Sequence, residues 1–358
     1  MNFDANERQR VTELRAGRKV VTFGELMLRL SPPGFERLLQ SPVLSATFGG
    51  GEANVAVSLA QFGLESYYVT RLPPHAIGEA AVRALRIEGV RTDFIVRGGD
   101  RVGIYFTETG ASQRASTVIY DRAHSAISEL PADAIAWDPL MEGAAWFHVT
   151  GITPALGEKA TAATRAAVAA AKRAGARVSV DLNYRKKLWT ESQAQATMRP
   201  LMRDVDVVIA NEEDLQSVLG VQVEDTDVIA GTLDVKGFHD AAERVTRDFG
   251  PSMVAITLRE SISASDNGWS AVLWDGTTKT LHQSQRYMVR LVDRIGGGDS
   301  FAAGLIYGLV TGRPHDGALR FAVAASALKQ TIPGDFNRVS VAEVDALAKG
   351  DASGRVQR

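Results

Sequence analysis

The chain has 358 residues, an apolar share of 45%, 40 basic against 42 acidic side chains and no cysteine. That length holds one large α/β domain or two smaller ones, with material for a sizeable core. Balanced charge speaks against a nucleic-acid partner, which would need a basic stripe. The absence of cysteine excludes disulfides, thiol catalysis and cysteine-bound metals. Six scattered histidines, none paired at i, i+4, speak against zinc. No apolar run approaches the ~20 residues of a membrane span. The N-terminus, Met1 to Arg18, is polar and has no secretory apolar segment. The simplest expectation is a soluble cytoplasmic protein.

In chain order, Glu7 to Arg15 reads as a short leading helix and Val20 to Leu30 as a strand. Glu52 to Phe62 predicts a helix, because Val55, Leu59 and Phe62 share one face, with Gly63 as its C′ residue. Ile77 to Glu88 repeats the pattern and closes on Gly89. From there the chain alternates. Strands are predicted over 145–149, 177–182, 205–210 and 253–258; helices are predicted over 158–173, 191–203, 212–219 and 239–248. Three helices follow, over 300–310, 316–329 and 341–348. Continuous apolar strands alternating with helices predict a parallel sheet covered on both faces. Two segments break the rhythm: 28–48, with Pro32, Pro33, Gly34 and Pro42, and the β-rich 103–120. A third, 221–237, carries Glu224, Asp225, Asp227 and Asp234 and reads as a solvated surface excursion.

In a parallel α/β sheet, ligands bind beyond the carboxyl ends of the strands. The polar residues placed there are Asp181-Leu182-Asn183-Tyr184-Arg185, Asn211-Glu212-Glu213-Asp214 and Arg259-Glu260-Ser261. The same rim receives Gly296-Gly297-Gly298-Asp299 at the head of a helix. Glycine amides approach an anion closely, and a helix N-terminus favours phosphate. Asp299 beside a bound polyphosphate suits a base that takes a proton from an attacking hydroxyl. Alone, the same residues also spell a glycine-rich turn with an aspartate cap. A helix N-terminus would lower the pKa of that carboxylate, although a loose phosphoryl-transfer transition state asks little of a base.

The stretch Val292 to Gly304 resembles the C-terminal signature of the ribokinase/PfkB family of sugar kinases. Gly49-Gly50-Gly51-Glu52-Ala53-Asn54-Val55-Ala56, followed by Leu59-Ala60-Gln61-Phe62-Gly63, is similar to the family's N-terminal block, about 250 residues earlier. The resemblance covers roughly Val20 to Val344. It implies a single ribokinase-like α/β domain over 1–358: a mostly parallel central sheet flanked by helices, with a small β-sheet lid from about 28–48 and 103–120. It also implies ATP and Mg²⁺, with Asp299 as catalytic base and Gly296, Gly297 and Gly298 as the anion hole. Asn183 and Arg185 would lie near the nucleotide, and Asn211 and Asp214 near the metal through water. The family's motif there is Asn-x-x-Glu, so Asp214 is one methylene short. No glycine follows Thr257, where many members carry one.

Within the family the chain is most similar to 2-keto-3-deoxygluconate kinases. Gly50, Gly51 and Asn54 match their sugar loop, Tyr105 a lid tyrosine, Tyr120-Asp121-Arg122 a Tyr-x-Arg, and Asn183-Tyr184-Arg185 with Leu188-Trp189 an Asn-x-Arg before Leu-Trp. These imply phosphorylation of the sugar acid at its 6-hydroxyl, with arginine forks at Arg122 or Arg185 reading the carboxylate. Arg185 could equally touch the γ-phosphate. A fructokinase or ribokinase-like enzyme is the first alternative and a non-catalytic sugar-binding protein the second. A dinucleotide oxidoreductase fails, because no Gly-x-Gly-x-x-Gly follows the first strand. Exposed lid edges further predict a homodimer or higher homo-oligomer.

Overall fold

The computed structural model describes residues 18–131, 133–223 and 235–351. The expected leading helix over Glu7 to Arg15, and the acids Glu224, Asp225, Asp227 and Asp234, lie outside these residues.

The first third runs β1 (Lys19–Phe23), β2 (Met27–Ser31), β3 (Ser45–Gly49), α1 (Gly51–Gln61), β4 (Glu65–Val69), β5 (Arg71–Leu72), α2 (Ala76–Ile87), β6 (Val96–Arg97), β7 (Gly103–Glu108) and β8 (Thr117–Asp121). The middle runs α3 (Trp137–Met141), β9 (Ala144–Thr150), α4 (Glu158–Arg173), β10 (Arg177–Asp181), α5 (Glu191–Leu201), β11 (Val207–Ala210), α6 (Glu212–Asp214) and α7 (Val235–Phe249). The last third holds β12 (Met253–Ser261), β13 (Asp266–Asp275), β14 (Thr280–Gln283), β15 (Tyr287–Arg290), α8 (Gly297–Val310), α9 (His315–Lys329) and α10 (Val341–Ala348).

Nine strands form the central sheet in the order β14-β13-β12-β11-β10-β9-β1-β4, with β15 also paired to β13. From β12 to β4 all neighbours are parallel, and β13 to β15 add an antiparallel end. Successive strand residues point to opposite faces, and both faces are buried. Val208, Val254 and Val272 pack with α4, α5 and α7 on one side. Val207, Met253 and Ala271 pack with α1, α8 and α9 on the other. This is the doubly covered sheet that the apolar strands predict.

A separate four-stranded sheet, β3-β2-β7-β8, uses the two segments that broke the alternation. The strand expected over Val20 to Leu30 is really two. β1 stays in the central sheet; the chain leaves it at Gly24, and β2 pairs with β3 and β7 instead. Gly24 and Glu25 interrupt the apolar run at that point, but Leu26, Met27 and Leu28 resume it at once, so the two strands read as one. β4, β13, β14 and β15, not among the expected elements, complete the central sheet.

Candidate active site

A cleft of about 1510 Å³ opens between the carboxyl ends of the parallel strands and the small sheet. It is lined by Gly50, Gly51, Asn54, Tyr105, Tyr120, Arg122, Asn183, Arg185, Asn211, Asp214, Gly296, Gly298 and Asp299. Gly297, also expected at the site, is off this wall and buried beneath it.

The glycine loop is held from behind. Gly296 caps α8 at φ +82°, and a Cβ there would lie 2.2 Å from the Asp335 carbonyl, so only glycine fits. The Gly297 amide donates to the Arg294 carbonyl (3.3 Å), and Ser326 Oγ donates to the Gly297 carbonyl (2.7 Å). Lys329 is 0% exposed; its ammonium donates to the Asp293 carbonyl (3.2 Å) and to that of Ile295. Burial lowers its pKa, opposed by Asp293 and Asp335. One of the three glycine amides expected to face an anion is therefore spent on a turn. Gly298 and Asp299, in the first helical turn, lie where amides have no acceptor within the helix.

Asn54 joins the two glycine turns. Its Oδ1 accepts from the Gly50 amide (3.3 Å), and its Nδ2 donates to Asp299 Oδ2 (2.7 Å). Its amide group, expected on sugar hydroxyls, also orients the carboxylate. Gly50 is fixed by close approach: a Cβ would lie 2.0 Å from the Glu25 carbonyl. Burial pushes the Asp299 pKa up to about 6, with Asp335 adding repulsion, while the Asn54 hydrogen bond, Arg185 and Lys329 oppose the rise. The depression expected from the helix end is overruled by desolvation.

Glu52, in the first turn of α1, is buried. Its Oε1 accepts from the Thr150 amide (2.8 Å), Thr150 Oγ1 (2.9 Å) and Thr153 Oγ1 (2.6 Å). It pins the N-terminus of α1 to the end of β9, and burial raises its pKa to about 7.

After β10, Asn183 takes φ +40°, a left-handed conformation that asparagine tolerates better than most residues. The Tyr184 amide donates to Asp214 Oδ1 (2.9 Å). Asn211 and Asp214 form a reciprocal cap on α6: Asn211 Oδ1 accepts from the Asp214 amide (2.8 Å), and Asp214 Oδ2 from the Asn211 amide (3.4 Å). The pair thus positions two loops. Burial raises Asp214 to about 6. Asp181 is raised well above the usual range by burial and by repulsion from Asp214 and Asp299, with Arg185 as its opposing cation. Arg185 is exposed, and its Nη1 donates to the Tyr184 carbonyl (2.8 Å).

The small sheet is tied down by groups the sequence reading missed. Buried Arg29 on β2 pairs with Asp335 Oδ1 (2.6 Å) and Asp293 Oδ2 (2.6 Å). Burial opposes its charge, but the two aspartates raise its pKa overall. Tyr105 donates its hydroxyl to Asp335 Oδ2 (2.6 Å), so this tyrosine, expected on the sugar, serves the same network. Arg122 donates through Nε (2.8 Å) and Nη2 to Glu25 Oε2, and its guanidinium lies 5.4 Å from the Tyr120 ring centre. The fork expected on a substrate carboxylate thus lines the cleft while paired with Glu25. Asp293 stood inside the quoted signature; Arg29 and Asp335 gave no local signal.

Residues 18–337 match the pfkB family carbohydrate kinase pattern. The chain belongs to this family of carbohydrate kinases. The solved 2-dehydro-3-deoxygluconokinase of Thermotoga maritima is 51% identical to this kinase, with a TM-score of 0.89 over 93% of this chain and 99% of that one. The 2-dehydro-3-deoxygalactonokinase of Haloferax volcanii is 35% identical over 338 residues, 94% of this chain and 98% of its own length. The 2-dehydro-3-deoxygluconokinase of Bacillus subtilis is 27% identical over 325 residues, 90% and 93% of the two chains. The ribokinase-like fold expected from the sequence is the fold of this kinase.

Proposed function

We propose that this kinase transfers the γ-phosphoryl group of ATP to the 6-hydroxyl of 2-keto-3-deoxygluconate. The observation that carries the reading is Asp299: a carboxylate at the head of α8, beside the glycine loop, held by Asn54 and carrying a pKa near 6. An ionised Asp299 takes the hydroxyl proton as that oxygen bonds to phosphorus, and the bond from phosphorus to the bridging oxygen of ADP breaks. The first-turn amides of α8 face the charge of the phosphates. The small sheet acts as the lid over the sugar. With Arg122 held by Glu25, Arg185 is the member of the expected pair that meets the sugar carboxylate.

The cleft suits Mg²⁺. Asp181, Asp214 and Asp299 all bind protons more tightly than usual, a strain that a cation relieves. Among the described residues no His/Cys/Asp/Glu trio forms a metal cage, which fits an ion that keeps most of its waters. Asp214 and Asp181 would hold that water shell. When bound, the ion neutralises charge on the transferring phosphates.

The names of the Thermotoga and Bacillus relatives support the gluconate substrate, and that of the Haloferax relative supports the galactonate epimer as a second reading. ADP release, measured with both 2-keto-3-deoxy acids, fructose and ribose, tests the assignment. At least one acid should exceed the neutral sugars by about tenfold or more in kcat/KM, the scale of a charge-assisted contact. Preference for fructose or ribose would overturn it. Exposed lid edges support a homodimer.

A further inference from the structure

The kinase reading leaves one set of donors in the cleft unused. Arg294, two residues before Gly296, lines it half-buried. Its Nε is closed off from solvent and has no hydrogen-bond partner. Among the described residues no carboxylate pairs with Arg294, whereas Arg29 and Arg122 each hold one. Arg259, on the last part of β12, lines the same cleft, exposed and equally without an acid. Its neighbour Glu260 is taken by Arg286 (2.7 and 2.6 Å). Trp269 stands opposite Arg259 in the β12–β13 ladder, and its Nε1 is also buried without a partner.

A guanidinium nitrogen closed off from water without a partner is costly, and the positive charge of Arg259 adds to the cost at Arg294. Two arginines without an acid partner, beside a buried indole N–H without an acceptor, have the chemistry of an anion site. The cleft's acids do not fill it: Asp181, Asp214 and Asp299 have Arg185 among the charges that oppose their rise. A sugar acid brings one negative charge, to which Arg185 is already assigned. A nucleoside polyphosphate brings several, and Arg294 continues directly into the glycine loop. We infer that Arg294 and Arg259 form a two-armed clamp on the polyphosphate chain of the nucleotide. The inference rests on the kinase reading and adds residues to it. Planar guanidinium forks suit this work, because each can meet two phosphate oxygens at once.

Calorimetric titration of the full chain with ATP, ADP and AMP tests the clamp, with 2-keto-3-deoxygluconate titrated separately. In the parent, affinity should rise with each added phosphate. Arg294→Gln should weaken ATP and ADP by on the order of tenfold to a hundredfold, AMP far less and the sugar acid not at all. Arg294→Lys should lie between, keeping charge without the fork. Arg259→Gln should weaken ATP in the same direction, and each variant should flatten the dependence of affinity on salt. Arg259 is exposed, so that variant keeps its fold and carries the test if Arg294→Gln does not fold. ATP binding unchanged in the folded variants overturns the clamp. A loss of sugar-acid affinity with ATP affinity intact also overturns it and assigns the arginines to the substrate carboxylate. A parent that binds no adenine nucleotide defeats the kinase reading itself; a parent that binds ATP no better than its variants defeats only the clamp.

Discussion

Asp299 shows how two neighbouring effects of opposite sign are decided. The helix N-terminus and the Asn54 amide favour the carboxylate, while burial and Asp335 favour the acid, and burial wins, with a pKa near 6. A base must be ionised to act, so kcat/KM should fall as pH drops through about 6 and stay level above it. Asn54→Ala removes a contact that favours the ionised form, so the acid limb should move to higher pH. Asp299→Asn should abolish the limb and cost roughly 10²–10⁴-fold in turnover. A pH–rate profile that stays flat down to pH 4.5 would remove Asp299 from the role of base.

At the scale of elements, Arg29 links β2 to the loops holding Asp293 and Asp335, which flank the glycine loop on both sides. All three side chains are at most 8% exposed. Breaking a buried ion pair from one side leaves charge without compensation, at about 3–5 kcal/mol. Arg29→Met should therefore lower the denaturation midpoint strongly, and adding Asp293→Asn and Asp335→Asn should recover much of the loss. Superimposable denaturation curves for parent and Arg29→Met would show that the network does not hold the sheet. This network also marks where the sequence stopped being legible. Helices with one apolar face and a glycine stop were readable, and α4 and α10 match their expected spans residue for residue. The contents of the cleft were readable too, since the topology carries polar residues after parallel strands to one rim. Arg29 lies 264 residues from Asp293 and 306 from Asp335, and no local pattern encodes a pair at that distance. The acid partners of Asn54, Tyr105 and Arg122 were illegible for the same reason: each hydrogen-bonds a distant acid that the sequence does not place beside it.

At the scale of the whole molecule, the two sheets face different demands. The central sheet is buried on both faces and can tolerate its neighbours in only one register. The small sheet has two edge strands, β3 and β8, and β8 carries Ile119 at 50% and Tyr120 at 40% exposure. Leu39 and Val43, between β2 and β3, are also exposed. An apolar edge of this kind is a template for pairing unless something covers it. A second copy of the same sheet would satisfy both the backbone groups and the side chains, and a symmetric contact closes on itself. Light scattering should then give twice the 38.5 kDa of one chain. Ile119→Lys, which charges the β8 edge without touching the central core, should shift the species toward the monomer. The same variant should raise the sugar-acid KM more than it lowers kcat, because β8 contributes Tyr120 to the cleft while Asp299 stands on α8. A parent chain that scatters as a monomer at every working concentration would leave the edges of the small sheet unpaired and end the dimer reading.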